Sequence, residues 1–227
     1  MKFKYRILLV ALCTCFVTKI DAQHRRYKIQ NGIGITGALT QYNLVTDNFN
    51  TKKGNGWLIG ASATVDLPNK WYNMSYIIQL AENKLGIETG ATGLATNDEF
   101  SEYKLFTAQI ALLGHIKLLN TNLMIDAGPM LQYNSDLELK DDDQSNYIIS
   151  GYNNLIASDI EDISNFNVNG VIGLSAGFDN FKIKAHYIYG FLNTLEKLND
   201  QNLDTTGGNT TFKGNQSMIV IGAMFLF

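Results

Sequence analysis

Seven ionisable side chains sit at alternating positions in stretches that otherwise read as strands: Asp66, His115, Lys117, Asp126, Lys182, Lys184 and His186. Counting from the nearest tight turns places all seven in the same half of the molecule. Carboxylates, imidazoles and ammonium groups that share an interior must pair, because an unpaired buried charge is costly. The first chemistry they suggest is therefore a packed plug of ion pairs. The second is a gated path for ions. An eight-stranded interior is only wide enough for side chains, which argues against a resting pore.

Two further stretches carry candidate chemistry. The acidic run 141–143, with Asp136 and Glu138 nearby, offers the hard oxygen ligands that calcium takes, but its spacing matches no calcium-loop signature. It reads as a solvated acidic loop. In 155–163, Leu155, Ile156, Ile160 and Ile163 are spaced for a short helical turn, either a lid or a segment packed on its own scaffold. Covalent catalysis needs a nucleophile, a base and a group that orients the base. The three histidines are His24, His115 and His186. No nucleophile-elbow, zinc-protease or nucleotide-binding pattern accompanies them. The expectation is that the protein is not an enzyme and has no catalytic residues, no metal and no cofactor.

The elements that must position these residues alternate with period two. Eight strands are expected, over about 27–42, 56–67, 71–85, 102–118, 122–133, 165–178, 181–192 and 214–227. The seventh alternates cleanly: Phe181, Ile183, Ala185, Tyr187, Tyr189 and Phe191 oppose Lys182, Lys184, His186 and Gly190. In the last, Ser217, Ile219, Ile221, Ala223, Phe225 and Phe227 share one face. Pro129 falls inside the fifth strand; it has no ladder donor, so a bulge or local break is expected there. The connections alternate long and short. Tight turns at 68–70, 119–121 and 179–180 follow strands two, four and six, and the long loops lie at the other end.

The first 22 residues read as a secretory leader: Lys2, Lys4 and Arg6, an apolar run 7–17, and a small residue, Ala22, before the cut. Domain organisation is then a leader over 1–22 and one domain over 23–227. Both cysteines, Cys13 and Cys15, fall inside the leader, so neither a disulfide nor thiol chemistry is expected after cleavage. The formal charge is −3, and removing the leader's net +3 leaves −6. An acidic chain without a basic run argues against nucleic acid as a partner. No stretch is long and apolar enough for a transmembrane helix, but spanning strands of about 10 residues would escape such a test.

Alternation alone does not decide whether the apolar face turns inward, as in a soluble ligand-binding barrel, or outward to lipid. Three features favour lipid. Short turns at one end and long loops at the other match outer-membrane barrels. Aromatic residues such as Trp57, Trp71, Tyr72, Tyr103, Tyr133, Phe178, Phe181, Phe191 and Phe227 gather at strand ends, where interfacial girdles lie. The opposite face carries lysine, histidine, aspartate and many amides, as in a narrow barrel filled by polar side chains. The expected fold is all-β, an eight-stranded antiparallel up-and-down transmembrane β-barrel.

The glycine-rich first strand (Gly32, Gly34, Gly37), Ala-Gly-Pro at 127–129, the hairpin G-L-S-A-G-F-D-N-F-K-I-K-A-H-Y-I-Y-G-F-L-N and the terminal I-G-A-M-F-L-F together resemble the PorT-type outer-membrane β-barrel family of Bacteroidetes-like bacteria. The resemblance spans essentially 23–227. It implies an outer-membrane barrel and, by the family name, an accessory role in secretion. The leading expectation is an integral outer-membrane protein, non-enzymatic, acting structurally or through its outer loops. Its partners would be outer-membrane lipid and a surface or secretion-machinery protein. The alternatives are a small channel or secretion-accessory barrel, and a soluble periplasmic lipocalin-like ligand-binding barrel.

Overall fold

The computed structural model of the protein describes residues 30–66, 70–91, 99–178 and 180–227, with side chains from residue 32 onward. The leader with its cleavage site and cysteines, His24, and residues 68, 69 and 179 of the expected tight turns lie outside the described residues.

Ten strands follow in chain order: β1 (Gln30–Thr46), β2 (Thr51–Asp66), β3 (Tyr72–Gly90), β4 (Phe100–Leu119), β5 (Leu123–Asn134), β6 (Glu138–Leu139), β7 (Ile148–Ile149), β8 (Phe166–Phe178), β9 (Phe181–Gly190) and β10 (Gly214–Leu226). The eight long ones pair antiparallel with their chain neighbours, and β10 pairs with β1 from Gly34↔Leu226 to Thr46↔Gly214. The wall is thus a closed ring of eight strands, with no long strand edge left unpaired. The two-residue strands β6 and β7 pair with the outer ends of β4 and β3.

Alternation sets the two faces, since successive side chains on a strand point to opposite sides. Ile33, Leu39, Ile59, Ile78, Ile110, Leu131, Ile172, Ile183 and Ile221 stand outside, with Leu39 at 73% and Ile221 at 59% exposure. Their sequence neighbours are enclosed. The apolar stretch of the outer face of β4 runs from Phe106 to Leu118. At about 3.3 Å per residue and a tilt of roughly 45°, it covers about 30 Å.

Pro129 produces no bulge but does break the β4–β5 ladder locally, one of the two expected outcomes. The ladder between β4 and β5 passes over Gly128 and Pro129 and resumes in the same register, Ala111↔Met130 on one side and Gly114↔Ala127 on the other. Pairing with β8 continues through Pro129↔Gly170. Gly128 is needed here, because a Cβ would collide with the Leu112 carbonyl oxygen. A real register slip occurs elsewhere, between Lys53↔Leu85 and Trp57↔Glu82. There Gly54 and Gly56 leave no room for a Cβ against the carbonyls of Lys84 and Glu82.

The first two long loops are shorter than the sequence suggests. β1 and β2 run to within four residues of each other, 47–50, and β3 and β4 extend to Gly90 and back from Phe100. These extensions rise beyond the apolar stretch of the wall. On β3 and β4 alternation continues there with polarity reversed, Leu85, Ile87, Tyr103 and Leu105 facing in and Glu82, Lys84, Glu102 and Lys104 facing out. The loops fold together over the ring. Phe49, Tyr152 and Phe212 from three loops pack with ring centroids 5.8–6.2 Å apart. Residues 155–163 contain a single 3-10 turn, Ala157–Ile160, packed down on the ring with Ala157 and Ile160 buried. Tyr103 Oη of β4 donates to the Ala157 carbonyl at 2.9 Å.

Candidate functional site

The enclosed space is layered. At the end carrying the tight turns lie the seven expected ionisable groups. Asp126, fully buried on β5, is the centre of the layer. His115 Nδ1 of β4 lies 2.6 Å from Asp126 Oδ1, and His186 Nε2 of β9 lies 2.8 Å from Oδ2. Ser175 Oγ donates to Oδ1 at 3.0 Å. An ionised carboxylate only accepts, so both imidazole nitrogens facing it carry protons. His115 Nε2 in turn meets Ser75 Oγ at 2.7 Å, and Ser75 meets Thr64 Oγ1 at 2.7 Å. Register brings these groups together: β4 and β5 place His115 opposite Asp126, and β8 and β9 bring Gly173, which has no side chain, opposite His186.

Ser75, His115 and Asp126 have the order of a nucleophile, a base and its orienting carboxylate. The sequence reading did not name Ser75, because no motif marks it and only the β3–β4 register brings it to His115. Its hydroxyl is buried and already engaged on both sides, by Thr64 and His115. That leaves no open face for a substrate carbonyl.

The other four groups are arranged separately. Lys117 Nζ pairs with Asp66 Oδ1 at 2.6 Å near the strand ends, partly buried. Lys182 is buried beside Met124. Lys184 is buried and joins neither pair. Five of the seven therefore fall into two ionic groups, one centred on Asp126 and one joining Lys117 to Asp66.

Above this layer the interior becomes apolar. Leu58, Ile77, Leu113, Met130, Val171, Ile188 and Val220 meet across it, all buried. This corrects the expectation of an interior polar throughout. A belt of amides comes next. Gln79 donates to Gln109 at 2.5 Å, Gln109 to Gln132 at 2.8 Å, Gln132 to Gln216 at 2.8 Å, and Gln216 to Asn169 at 2.9 Å. The apolar loop cap closes the top. An ion crossing the ring would have to leave a hydrogen-bonded layer for an apolar one twice.

On the cap, Asp141 accepts from the Asp143 amide at 3.2 Å and starts a 3-10 turn, Asp142–Gln144. Among the described residues no group of three histidine, cysteine, aspartate or glutamate side chains is disposed to hold a metal ion. Glu161 lines an open hollow with Asp136, Glu138 and Asp142. Partial burial, reinforced by the negative charge of Asp142, Asp136 and Glu138, raises its carboxyl above the ordinary glutamate value, against an opposing hydrogen bond from the Leu139 backbone. A raised carboxyl means that the folded cap binds more protons than the unfolded one. Its contribution is full below the ordinary glutamate value and is lost as pH rises through the shifted one. Hydrogen exchange in 134–164, corrected for intrinsic rates, should report a more stable cap at mildly acid pH than at neutrality. Glu161→Gln should flatten that difference; an unchanged pH response would remove Glu161 as its source.

Among the motif glycines Gly34 and Gly222 answer to packing, whereas a Cβ at Gly37 would meet nothing within 4 Å. A Cβ at Gly34 would meet Ser62 Oγ, Met224 Sδ and Leu226 Cδ2, and one at Gly222 would strike Ala38 and the Gly37 carbonyl. They mark close approach between β1, β2 and β10.

No protein-family model matches the chain, and no curated protein matches it. Among solved structures, it is similar to Neisserial surface protein A (NspA) at TM-score 0.48 and 10% identity, over 86% of this chain and 97% of that one. It is similar to the outer membrane protein Ail of Yersinia pestis at TM-score 0.42 and 15% identity, over 87% and 100%. The translocator domain of the autotransporter NalP from Neisseria meningitidis gives TM-score 0.29 and 11% identity, over 98% and 96%. At these identities and scores, function has to be read from this chain's own residues.

Proposed function

We propose that the protein is an integral outer-membrane β-barrel, non-enzymatic, that spans the bilayer with its eight long strands and presents the loop cap outside. One observation carries this reading. The outer wall is apolar all the way round, from Ile33, Ile59, Ile78 and Ile110 to Leu131, Ile172, Ile183 and Ile221. Aromatic residues bound it on both sides, with Trp57, Tyr133, Phe166 and Phe191 toward the cap and Trp71, Phe178, Phe181 and Phe225 toward the tight turns. Soluble monomers rarely expose apolar patches beyond a few hundred Å². A closed ring satisfies its own backbone, which is what lets strands lie in hydrocarbon.

The secretory leader read in the sequence supports the outer membrane, as does the even strand count, which puts both ends of the ring wall on the side of the tight turns. The soluble lipocalin-like reading needs the apolar face inside, and that face is outside. The channel reading is opposed by the two apolar layers. The sealed Ser75 hydroxyl supports the non-enzymatic reading. Lipid is the partner of the wall, and the cap is the surface for a protein partner, whether at the cell surface or in a secretion machine.

Membrane fractionation with gel mobility before and after boiling tests the proposal. A detergent-dependent outer-membrane band that shifts on heating is expected. A soluble periplasmic band with no shift would overturn it. Protease added to intact cells should cut only in the cap loops; cleavage around 68–70 would reverse the orientation.

A further inference from the structure

Lys184 presents an unsolved polar problem. It is 5% exposed, and among the described residues it makes no ion pair and no hydrogen bond. An ammonium carries three donors and no acceptor, and a buried one requires acceptors. Asp126 does not supply a close one, because its oxygens are taken by His115, His186 and Ser175. Lys184 instead lines a small chamber together with Thr36, Gln79 and His186, roofed by Leu58, Ile77, Leu113 and Val220. The chamber has about 20 Å³ of usable volume. That admits one small species, a water or a monatomic ion.

We infer that this chamber is a binding site for a single monatomic anion of the chloride class, held by the Lys184 ammonium and the Thr36 hydroxyl. Thr36 is also buried, and its hydroxyl has no partner among the described side chains. Both donors open on the same space. Lys182 and His186 of β9, two residues to either side, stand with Lys184 on the same inner face. The size of the chamber excludes a carboxylate ligand or a polyatomic oxyanion. Gln79 joins the chamber to the amide belt and the rest of its roof is apolar; the ion is a resident that completes the interior. This inference rests on the closed ring and its interior, and stands whether or not the wall meets lipid.

The test uses the full folded chain in chloride, bromide or gluconate salts at one ionic strength. A ligand that binds only the folded state lowers the unfolding equilibrium constant in proportion to its concentration above its dissociation constant. The wild-type constant should therefore fall about tenfold for each tenfold rise in chloride or bromide, with gluconate inert. Lys184→Met, of similar length, should show no halide dependence and should match the wild-type protein in stability when halide is absent. Thr36→Val should weaken the dependence without abolishing it. Crystals grown in bromide give a readout that needs no variant: an anomalous peak within contact distance of Lys184 Nζ supports the site. A water at that position with no anomalous signal overturns it, as does equal halide dependence in wild type and Lys184→Met.

Discussion

Replacing Asp126 with alanine is expected to cost about 3–5 kcal/mol of folding stability. The carboxylate holds two imidazoles and a hydroxyl at 2.6–3.0 Å, with no exposure to solvent. Removing it leaves His115 Nδ1, His186 Nε2 and Ser175 Oγ buried without their acceptor, and it also removes the negative charge beside Lys184 and Lys182. Breaking one partner of a buried ionic group costs far more than the group contributes in net stability. Two comparisons isolate the cause. Asp126→Asn keeps one acceptor oxygen and should lose less. Adding His186→Phe to Asp126→Ala should recover part of the loss, because the orphaned donor goes with it. Denaturant unfolding of the three variants measures this, and equal stability of Asp126→Ala and wild type would show that the network is not what holds this layer.

The second large effect is on the opposite face. Ile110 sits near the middle of the apolar stretch of β4, outside, between Ile78 on β3 and Leu131 on β5. A lysine on a lipid face near mid-bilayer costs about 2–4 kcal/mol. Ile110→Lys should therefore lower the fraction that folds into lipid vesicles, read as the heat-shifting band, while Ile110→Leu should leave it unchanged. Ile183→Lys on β9 should behave in the same way. Normal insertion of both lysine variants would mean that this wall does not meet hydrocarbon.

These two residues also show what the sequence discloses and what it hides. Ile183 and Lys184 belong to a stretch that alternates without interruption, so faces and strand follow directly from the order of residues. Elsewhere the period disappears. Ile77-Ile78, Leu112-Leu113, Val171-Ile172 and Val220-Ile221 are adjacent apolar pairs, one side chain facing out and one facing the interior apolar layer. Two apolar neighbours carry no alternation, so that layer reads as irregularity; Leu58 looks like a defect in its strand until its interior position is seen. The outer extensions of β3 and β4 are hidden for a different reason: above the apolar stretch the pattern inverts, with Leu85, Ile87, Tyr103 and Leu105 inside and charged residues outside. The ionic layer is legible as seven groups on inner faces near one end. Which of them touch is not, because partners on different strands are chosen by register. Register selects Asp126 for His115 and leaves Lys184 facing a chamber, with the Asp126 oxygens already taken.

Closure of the ring between β1 and β10 has a consequence for the order of events in folding. Gly34 pairs with Leu226, so the two strands that seal the wall come from opposite ends of the described chain. Bringing segments so far apart together costs about 5 kcal/mol of chain entropy by the logarithmic loop law, and no local hairpin contributes to it in advance. Until β10 arrives, β1 and β9 each present an open edge, which is sticky in water and ruinously unsatisfied in hydrocarbon. A half-built wall therefore has no comfortable solvent. Assembly should proceed by hairpins that gather at a surface and cross it together, with the segment ending in Met224, Phe225 and Leu226 acting as the late, rate-setting latch. Changes there should slow the appearance of folded protein far more than they hasten its loss.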